Sequence, residues 1–476
     1  MGLVLTNTLS GRKEPLAPRK PGHVGLYWCG VTVYARAHVG HARFLIVSDL
    51  LHRYLLARGF RVTFVRNVTD VDDKIIVRAH QEGIDPAALA ARETAALAED
   101  VARLKCLPPT CEPRATAHID DMVAFVERLV AKGVAYPVAD GSVYFRVRRF
   151  PGYGKLSHRR LEDMEAGEND PQKEDPHDFA LWKGAKPGEP TWRSPWGPGR
   201  PGWHLECSAM AARYLGQPFD VHGGGTDLVF PHHENEIAQS EADAGVPLAD
   251  LWVHNGMITF GAEKMSKSLG NVLGIAEATA EAPGEALRLL YHGTHYRAPL
   301  EFTRERLAEK ADNLDRFYET LARADEAAGG PPPAVEPAGA LTGRLTPFLE
   351  PFVAAMDDDL NAAKALGHVF DRVRDLNRAL DAGNRDEAAA ARSDLARVGA
   401  VLGLMTEPPA AYLAARRARA RSRAGLTEAE IEAAIAERNA ARKRKDFARA
   451  DAIRAGLKAR GISLEDTPSG TLWRAD

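Results

Sequence analysis

Apolar and polar positions recur along this chain in two periods, one of strands and one of helices. Residues 24–29 are apolar and β-prone and end at Gly30; beyond a short loop, Gly40 and His41 open a helical pattern carried by Phe44, Leu45, Val47, Leu51, Tyr54 and Leu55. Gly59 stops it, and residues 61–68 read as a second strand. Strand, helix, strand is a βαβ unit, which predicts a parallel sheet with its ligand at the carboxyl ends of the strands. From Arg114 the pattern turns helical, short strands follow around 141–147, and 151–201 is rich in Gly, Pro, Trp and charge, which reads as an insertion. Strand character resumes at 219–222, ahead of three glycines, and again at 251–254. After Thr303, a good N-cap, Leu307, Leu314, Phe317 and Leu321 share a helix face, and a further helix carries Ala363, Leu366, Phe370, Val373 and Leu380. Gly and Pro at 329–333 and the prolines 408 and 409 mark breaks. A last segment, with a strand-and-turn pattern at 462–473, is small and basic. The expected fold is therefore α/β: a Rossmann-like parallel-sheet domain over 1–302 with an insertion at about 114–201, a helical bundle over 303–407, and a small C-terminal domain over 408–476.

Composition narrows the classes. A chain of 476 residues can bury several cores. Its net charge of −3 gives no global pull towards nucleic acid, so a polyanion site must be a local basic patch. Four cysteines (Cys29, Cys106, Cys111 and Cys207) make no disulfide framework and suit a reducing compartment. Residues 1–20 lack an apolar signal core, and no apolar run approaches membrane-spanning length. The expectation is a cytoplasmic monomer with no membrane partner.

Two separated elements suit a nucleoside triphosphate. His38, Gly40 and His41 lie where a loop feeds a helix, a place that offers N–H donors and the positive end of the helix dipole to phosphate. Lys264, Met265, Ser266, Lys267 and Ser268 stand between Gly261 and Gly270, after a strand. Lysines there can neutralise the charge that builds on pyrophosphate, with Lys267 the leading candidate and Lys264 the second. Gly223 and Gly224, at the end of another strand, would make room for adenine or ribose, and Asp227 would accept from ribose hydroxyls; a plain tight turn is the alternative.

Cys29, Cys207, His232 and Glu236 form a possible Zn²⁺ set, His232 and Glu236 being four apart on a helical stretch. His233 is an alternative to His232, and both cysteines are equally readable as small buried apolar residues. Cys106 and Cys111 have no histidine nearby and read as bystanders. Two basic runs, Arg416, Arg417, Arg419, Arg421 and Arg423 and then Arg442, Lys443, Arg444 and Lys445, concentrate positive charge near the end of an acidic chain and suit RNA phosphate. Trp473 either stacks on an unpaired base or packs into its own small domain.

These motifs together resemble the bacterial cysteinyl-tRNA synthetases, class I aminoacyl-tRNA synthetases, over essentially the whole chain. Residues 38–41 look like the family's HIGH element with Val for Ile, 264–268 match its KMSKS element, and 67–74, 202–210 and 230–240 match further stretches. The resemblance implies one zinc held by Cys29, Cys207, His232 and Glu236, an amino-acid pocket lined by Thr32, Thr69 and Trp203, and ATP used with Mg²⁺. It implies formation of cysteinyl-adenylate, transfer to tRNA(Cys), a bundle that supports the tRNA stem and a C-terminal domain that reads the anticodon. Val31 departs from the proline usual before Thr-Val-Tyr. Zinc is expected to select the substrate as thiolate, because shape alone separates cysteine from serine by only about 1–3 kcal/mol. One protein ligand must then loosen or zinc accept a fifth, and Glu236 is the candidate to yield. The closest rival is a mycothiol-pathway ligase that joins cysteine to an amino-sugar; the basic stretch 408–476 argues for tRNA.

Overall fold

A computed structural model describes residues 2–165, 170–260, 263–264, 273–467 and 470–475. By its internal contacts the chain divides into two compact units: 1–312 with 334–375 and 393–404, and 313–333 with 376–392 and 405–476.

The first unit begins with the hairpin β1 (Val4–Asn7) and β2 (Arg12–Pro15) and continues through β3 (His23–Thr32), α1 (Val39–Ala57) and β4 (Arg61–Thr69). Helices α2 (Asp73–Glu82), α3 (Pro86–Arg103) and α4 (Ile119–Ala131) follow. The insertion is a four-stranded antiparallel sheet of β5 (Ala135–Pro137), β6 (Val143–Phe145), β7 (Phe179–Gly184) and β8 (Gly199–Pro201). The chain returns through α5 (Trp203–Leu215), β9 (Phe219–Gly225), α6 (Glu234–Ala244) and β10 (Ala249–Asn255). It continues with β11 (Ile258–Phe260), β12 (Glu263–Lys264), α7 (Ile275–Glu281), α8 (Gly284–His292) and β13 (Leu300–Glu301), the three strands making a separate small sheet. The main sheet has the order β10-β9-β3-β4 with every pair parallel. From β3 the chain winds outward to β4, and from β9 outward to β10. The reversal leaves a crevice between the carboxyl ends of β3 and β9, where open α/β sheets bind ligands.

Helix α1 leaves only Gly40, His41, Phe44 and Leu56 unburied, so it needs polar partners inside the protein. Asp49 accepts from Arg53 Nε at 2.7 Å and the Leu107 amide at 2.7 Å, and pairs with Arg288 Nη2 at 2.6 Å. Burial pushes the Asp49 carboxyl up, yet Arg288 and Arg53 hold it below the usual range. This contribution is full above the unfolded carboxyl value of about 3.9 and is lost as pH falls through the lower folded value. Asp49→Ala would leave two buried guanidinium groups without a carboxylate. The expected cost is about 3–5 kcal/mol, read as a lower midpoint of urea unfolding at pH 7.

Helices α9 (Arg304–Ala328), α10 (Leu349–Asp357), α11 (Ala362–Asp381) and α12 (Arg385–Leu402) follow, and α9, α11 and α12 each run through the division between the units. The turn after α10 is tied to the first strands: Asp359, at φ +60°, accepts from the Thr6 amide at 2.7 Å and from Tyr296 Oη at 2.8 Å. Asp357 accepts from Tyr54 Oη of α1 at 2.6 Å.

The second unit adds α13 (Pro409–Ala424), α14 (Glu428–Lys443), α15 (Phe447–Lys458) and the antiparallel hairpin β14 (Ile462–Thr467) and β15 (Gly470–Ala475). Trp473 is buried with Ile431, Ile435, Leu457, Ile462 and Leu464, so it packs its own small core and is not offered to a base. Arg416 is also committed, to Asp315 at 2.8 Å and Glu319 at 2.7 Å. The run 442–445 is exposed, and beside it stands Phe447, 61% exposed. Among the described residues no helix is long and apolar enough to cross a membrane.

Candidate active site

Cys29 lies near the end of β3, inside a break in the β3–β4 register between Trp28 and Val31. Gly30 makes that break possible: a Cβ there would sit 1.6 Å from the Asn67 carbonyl oxygen. Cys207 comes from α5, Glu236 from α6, and His232 from the turn that leads into α6. All four side chains are buried. Cys29 Sγ lies 3.6 Å from Cys207 Sγ and 3.4 Å from Glu236 Oε1, which is 3.0 Å from His232 Nε2. A tetrahedral ion with sulfur ligands at about 2.3 Å and N or O ligands at about 2.0 Å separates its donors by roughly 3.8 Å (S–S), 3.5 Å (S–O) and 3.3 Å (N–O). The donor atoms therefore fit one metal ion. A second overlapping group, Cys29, His222, His233 and Glu236, is also within reach of an ion, so His233 stays in contact with the cluster through Cys29 Sγ, 3.2 Å from its Nε2.

The surroundings are polarised accordingly. Burial raises the Cys29 thiol well above its ordinary value, and the hydrogen bond it donates to Cys207 adds to that. Cys207 moves the other way, to about 6, through its hydrogen bond with Cys29 against burial. Burial opposes protonation of His232, but the Glu236 carboxylate and Cys207 raise it to about 10. Glu236 is held well below the carboxylate range despite burial, by His222 and His232. A buried carboxylate beside two sulfurs is costly unless positive charge compensates it, which is the electrostatic setting a divalent cation meets.

The outer layer is formed by His222 and His254, which the sequence left unassigned as ligands, and by His233, its alternative to His232. His222 Nε2 is 2.9 Å from Glu236 Oε2, and its ring stacks on Trp252 with centroids 4.4 Å apart. His233 Nδ1 is 2.8 Å from His254 Nε2, whose Nδ1 is 2.7 Å from Thr8 Oγ1. Such outer partners orient ligands and set their basicity. Asn67 was also missed: its Oδ1 accepts from the Gly30 amide at 2.8 Å and its Nδ2 donates to Thr69 Oγ1 at 3.2 Å. Its sequence signal is that it opens the matching stretch 67–74. Thr32 and Thr69 are paired partners at the ends of β3 and β4, and the Trp203 ring stacks on His232 with centroids 4.3 Å apart. Trp203 thus touches the cluster directly, and Thr69 lies one hydrogen bond from it through Asn67, whose Oδ1 is 3.7 Å from Cys207 Sγ.

His38 caps α1. Its Nδ1 accepts from the Gly40 amide at 3.1 Å, and His41 Nδ1 accepts from the His38 amide at 3.2 Å, with the two rings stacked at 3.8 Å. The Val39 amide bonds the Leu273 carbonyl at 3.0 Å. The helix-start amides expected to meet phosphate are therefore engaged within the protein. A neutral ring whose Nδ1 accepts carries its proton on Nε2, which leaves an N–H on each imidazole. Gly223 and Gly224 are held close to the chain's own rings: a Cβ on Gly223 would lie 2.2 Å from the Trp28 ring and one on Gly224 2.9 Å from His233. Asp227 follows in a short turn after β9. Lys264 belongs to β12, paired with Thr259; Met265, Ser266, Lys267 and Ser268 lie outside the described residues.

Residues 15–312 match the family model described as the tRNA synthetases class I (C) catalytic domain, 351–406 a DALR domain, and 424–474 the cysteinyl-tRNA ligase anticodon binding domain. The cysteine–tRNA ligase of Geobacter sulfurreducens is 52% identical and that of Trichlorobacter lovleyi 51%, each over 100% of both chains. The chain belongs to the cysteine–tRNA ligase family. Solved structures place the fold of this cysteine–tRNA ligase family member among the class I synthetases. Mycobacterium tuberculosis methionyl-tRNA synthetase with methionyl-adenylate aligns over 86% of this chain and 96% of that one, with a TM-score of 0.58 at 16% identity. The Agrobacterium radiobacter leucyl synthetase complex aligns over 83% and 86%, with a TM-score of 0.59 at 12% identity.

Proposed function

We propose that this chain charges tRNA(Cys) with L-cysteine in two steps, activation by ATP and transfer to the tRNA. The carrying observation is that one βα connection bears both halves of the chemistry: Cys29 of the metal-fitting set closes β3 and His38 opens α1. Cys29, Cys207, His232 and Glu236 hold a Zn²⁺ ion, which supplies a site for a thiolate that a serine hydroxyl cannot match. Glu236 is the ligand suited to yield to substrate, because its Oε2 already has His222 Nε2 at 2.9 Å. Thr32, Thr69 and Trp203 line the pocket for the rest of cysteine.

Activation joins the cysteine carboxylate to the α-phosphorus of Mg²⁺-bound ATP and releases pyrophosphate. His38 and His41 donate from Nε2 to phosphate oxygens, Gly40 lets the nucleotide approach the helix start, and Asp227 accepts from ribose. Lys264 and Lys267 neutralise the leaving pyrophosphate. These are positioning and charge-stabilising roles, worth most in the transition state. The adenylate then passes its acyl group to the terminal adenosine of the tRNA, and AMP leaves. The match of 424–474 to an anticodon-binding model favours tRNA over an amino-sugar acceptor. The domain reading follows: 1–302 activates, 303–407 supports the stem and 408–476 reads the anticodon.

Cysteine-dependent ATP–pyrophosphate exchange followed by charging of purified tRNA(Cys) tests the whole reading; exchange without charging would remove the second step. The exposed Phe447 beside the basic run 442–445 suits stacking on an unpaired base. Phe447→Ala is expected to weaken tRNA binding by about 1–3 kcal/mol, seen in kcat/KM for tRNA, and to leave pyrophosphate exchange unchanged.

A further inference from the structure

Arg43 lies on α1, two residues past His41, and is 1% exposed. No carboxylate pairs with it among the described residues. Its fork instead meets backbone carbonyls: Nη1 donates to Met257 at 2.9 Å, and Nη2 to Ala298 at 2.5 Å, Tyr296 at 3.2 Å and His295 at 3.4 Å. Burial lowers this guanidinium to about 10, and its Nε has no partner. A buried cation satisfied only by carbonyls is an expensive way to fill space, since an apolar side chain of similar volume is often at least as stabilising.

The carbonyls it meets are not arbitrary. Met257 immediately precedes β11, and β11 pairs with β12, where Thr259 faces Lys264. Ala298 precedes β13, which pairs with β11 on the other side, Ile258 facing Leu300. Downstream of the lysine-rich stretch, the Val39 amide bonds Leu273 O at 3.0 Å and the Ile275 amide bonds Ala37 O at 3.1 Å. Tyr291 Oη of α8 donates to Val39 O at 2.9 Å. The start of α1 is thus tied to the strand ahead of residues 265–272 and to the segment after them. Arg43 supplies the tie on the upstream side.

We propose that Arg43 is a positioning residue for cysteine activation, setting the spacing between the two histidines and the β11–β12 hairpin that carries Lys264. This rests on the reading of His38, His41, Lys264 and Lys267 as the groups that handle the triphosphate. A lysine at this position keeps the charge but loses the planar fork, so it cannot hold carbonyls of two segments together. A shift of about 1 Å in such a site costs on the order of 100-fold.

The test uses the full chain with its metal. Arg43→Lys and Arg43→Gln are expected to lower the single-turnover rate of adenylate formation roughly 10–100-fold, with cysteine affinity, metal content and transfer from preformed adenylate to tRNA within about twofold of the parent. Tyr291→Phe removes one hydrogen bond, from α8 to the Val39 carbonyl, that also fixes the start of α1, and removes no charge, which keeps the test open if the Arg43 variants do not fold. It should slow the same step alone, by about 3–10-fold. Equal losses in activation and transfer, or unchanged activation in the folded variants, would overturn the proposal. Lys267→Ala, measured alongside, separates the two ideas. If that variant activates cysteine normally the triphosphate reading fails; if it is slow while the Arg43 and Tyr291 variants are normal, only the positioning role fails.

Discussion

Cys29→Ser is expected to strip the cluster of its metal and, with it, the preference for cysteine over serine. The thiol is buried, 3.6 Å from Cys207 Sγ and 3.4 Å from Glu236 Oε1, so no solvent group can take its place. Loss of an outer partner of a metal ligand commonly costs about 10–100-fold in affinity, and loss of a sulfur ligand should exceed that. Without the ion, pocket shape alone remains, and the discrimination should fall to about 1–3 kcal/mol. Metal analysis of the purified variant and pyrophosphate exchange with each amino acid read both effects. A metal-free variant that still rejects serine as firmly as the parent would refute the role given to the cluster. Cobalt substitution adds a direct check on the parent protein: its absorption spectrum should change when cysteine is added.

Lys267→Ala should slow adenylate formation by about 100–1,000-fold, the usual scale for losing one charge-stabilising donor at a developing anion. Cysteine affinity should change little, because the thiol and carboxylate ends of the substrate are held elsewhere. Burst kinetics of pyrophosphate release, compared with equilibrium binding of cysteine, separate the two quantities. Equal losses in rate and affinity would show uniform binding and count against the assigned role.

Local pattern carried much of the fold. The βαβ unit at 24–68, the strands before the glycines and at 251–254, and the helices after Thr303 were legible because each has a clean period and a stop signal nearby. The antiparallel sheet inside the insertion was only half visible, since strands of three residues hold too little pattern. The cysteines and His232 were legible as metal-binding types, yet nothing in their spacing along the chain distinguished ligands from small buried residues. His254, His233 and Asn67 carried weaker signals still, because their partners are 21 to 246 residues away. For Trp473 the sequence left base stacking and packing into its own small domain both open; burial in the hairpin core decides for packing, and Phe447 is an exposed aromatic nearby in the chain.

By itself, then, the amino-acid order determined the elements, their sequence, the two triphosphate motifs and the family they resemble, because these depend on neighbours within a few turns of chain. Only the tertiary structure decided which donors meet. The parallel sheet, reversing direction between β3 and β9, brings residues from positions 29, 207, 232 and 236 to within 4.8 Å of one another. It also turned the helix-start amides inward, the Gly40 amide onto His38 Nδ1 and the Val39 amide onto the Leu273 carbonyl. Both outcomes follow from long-range packing, whose geometry no local period encodes.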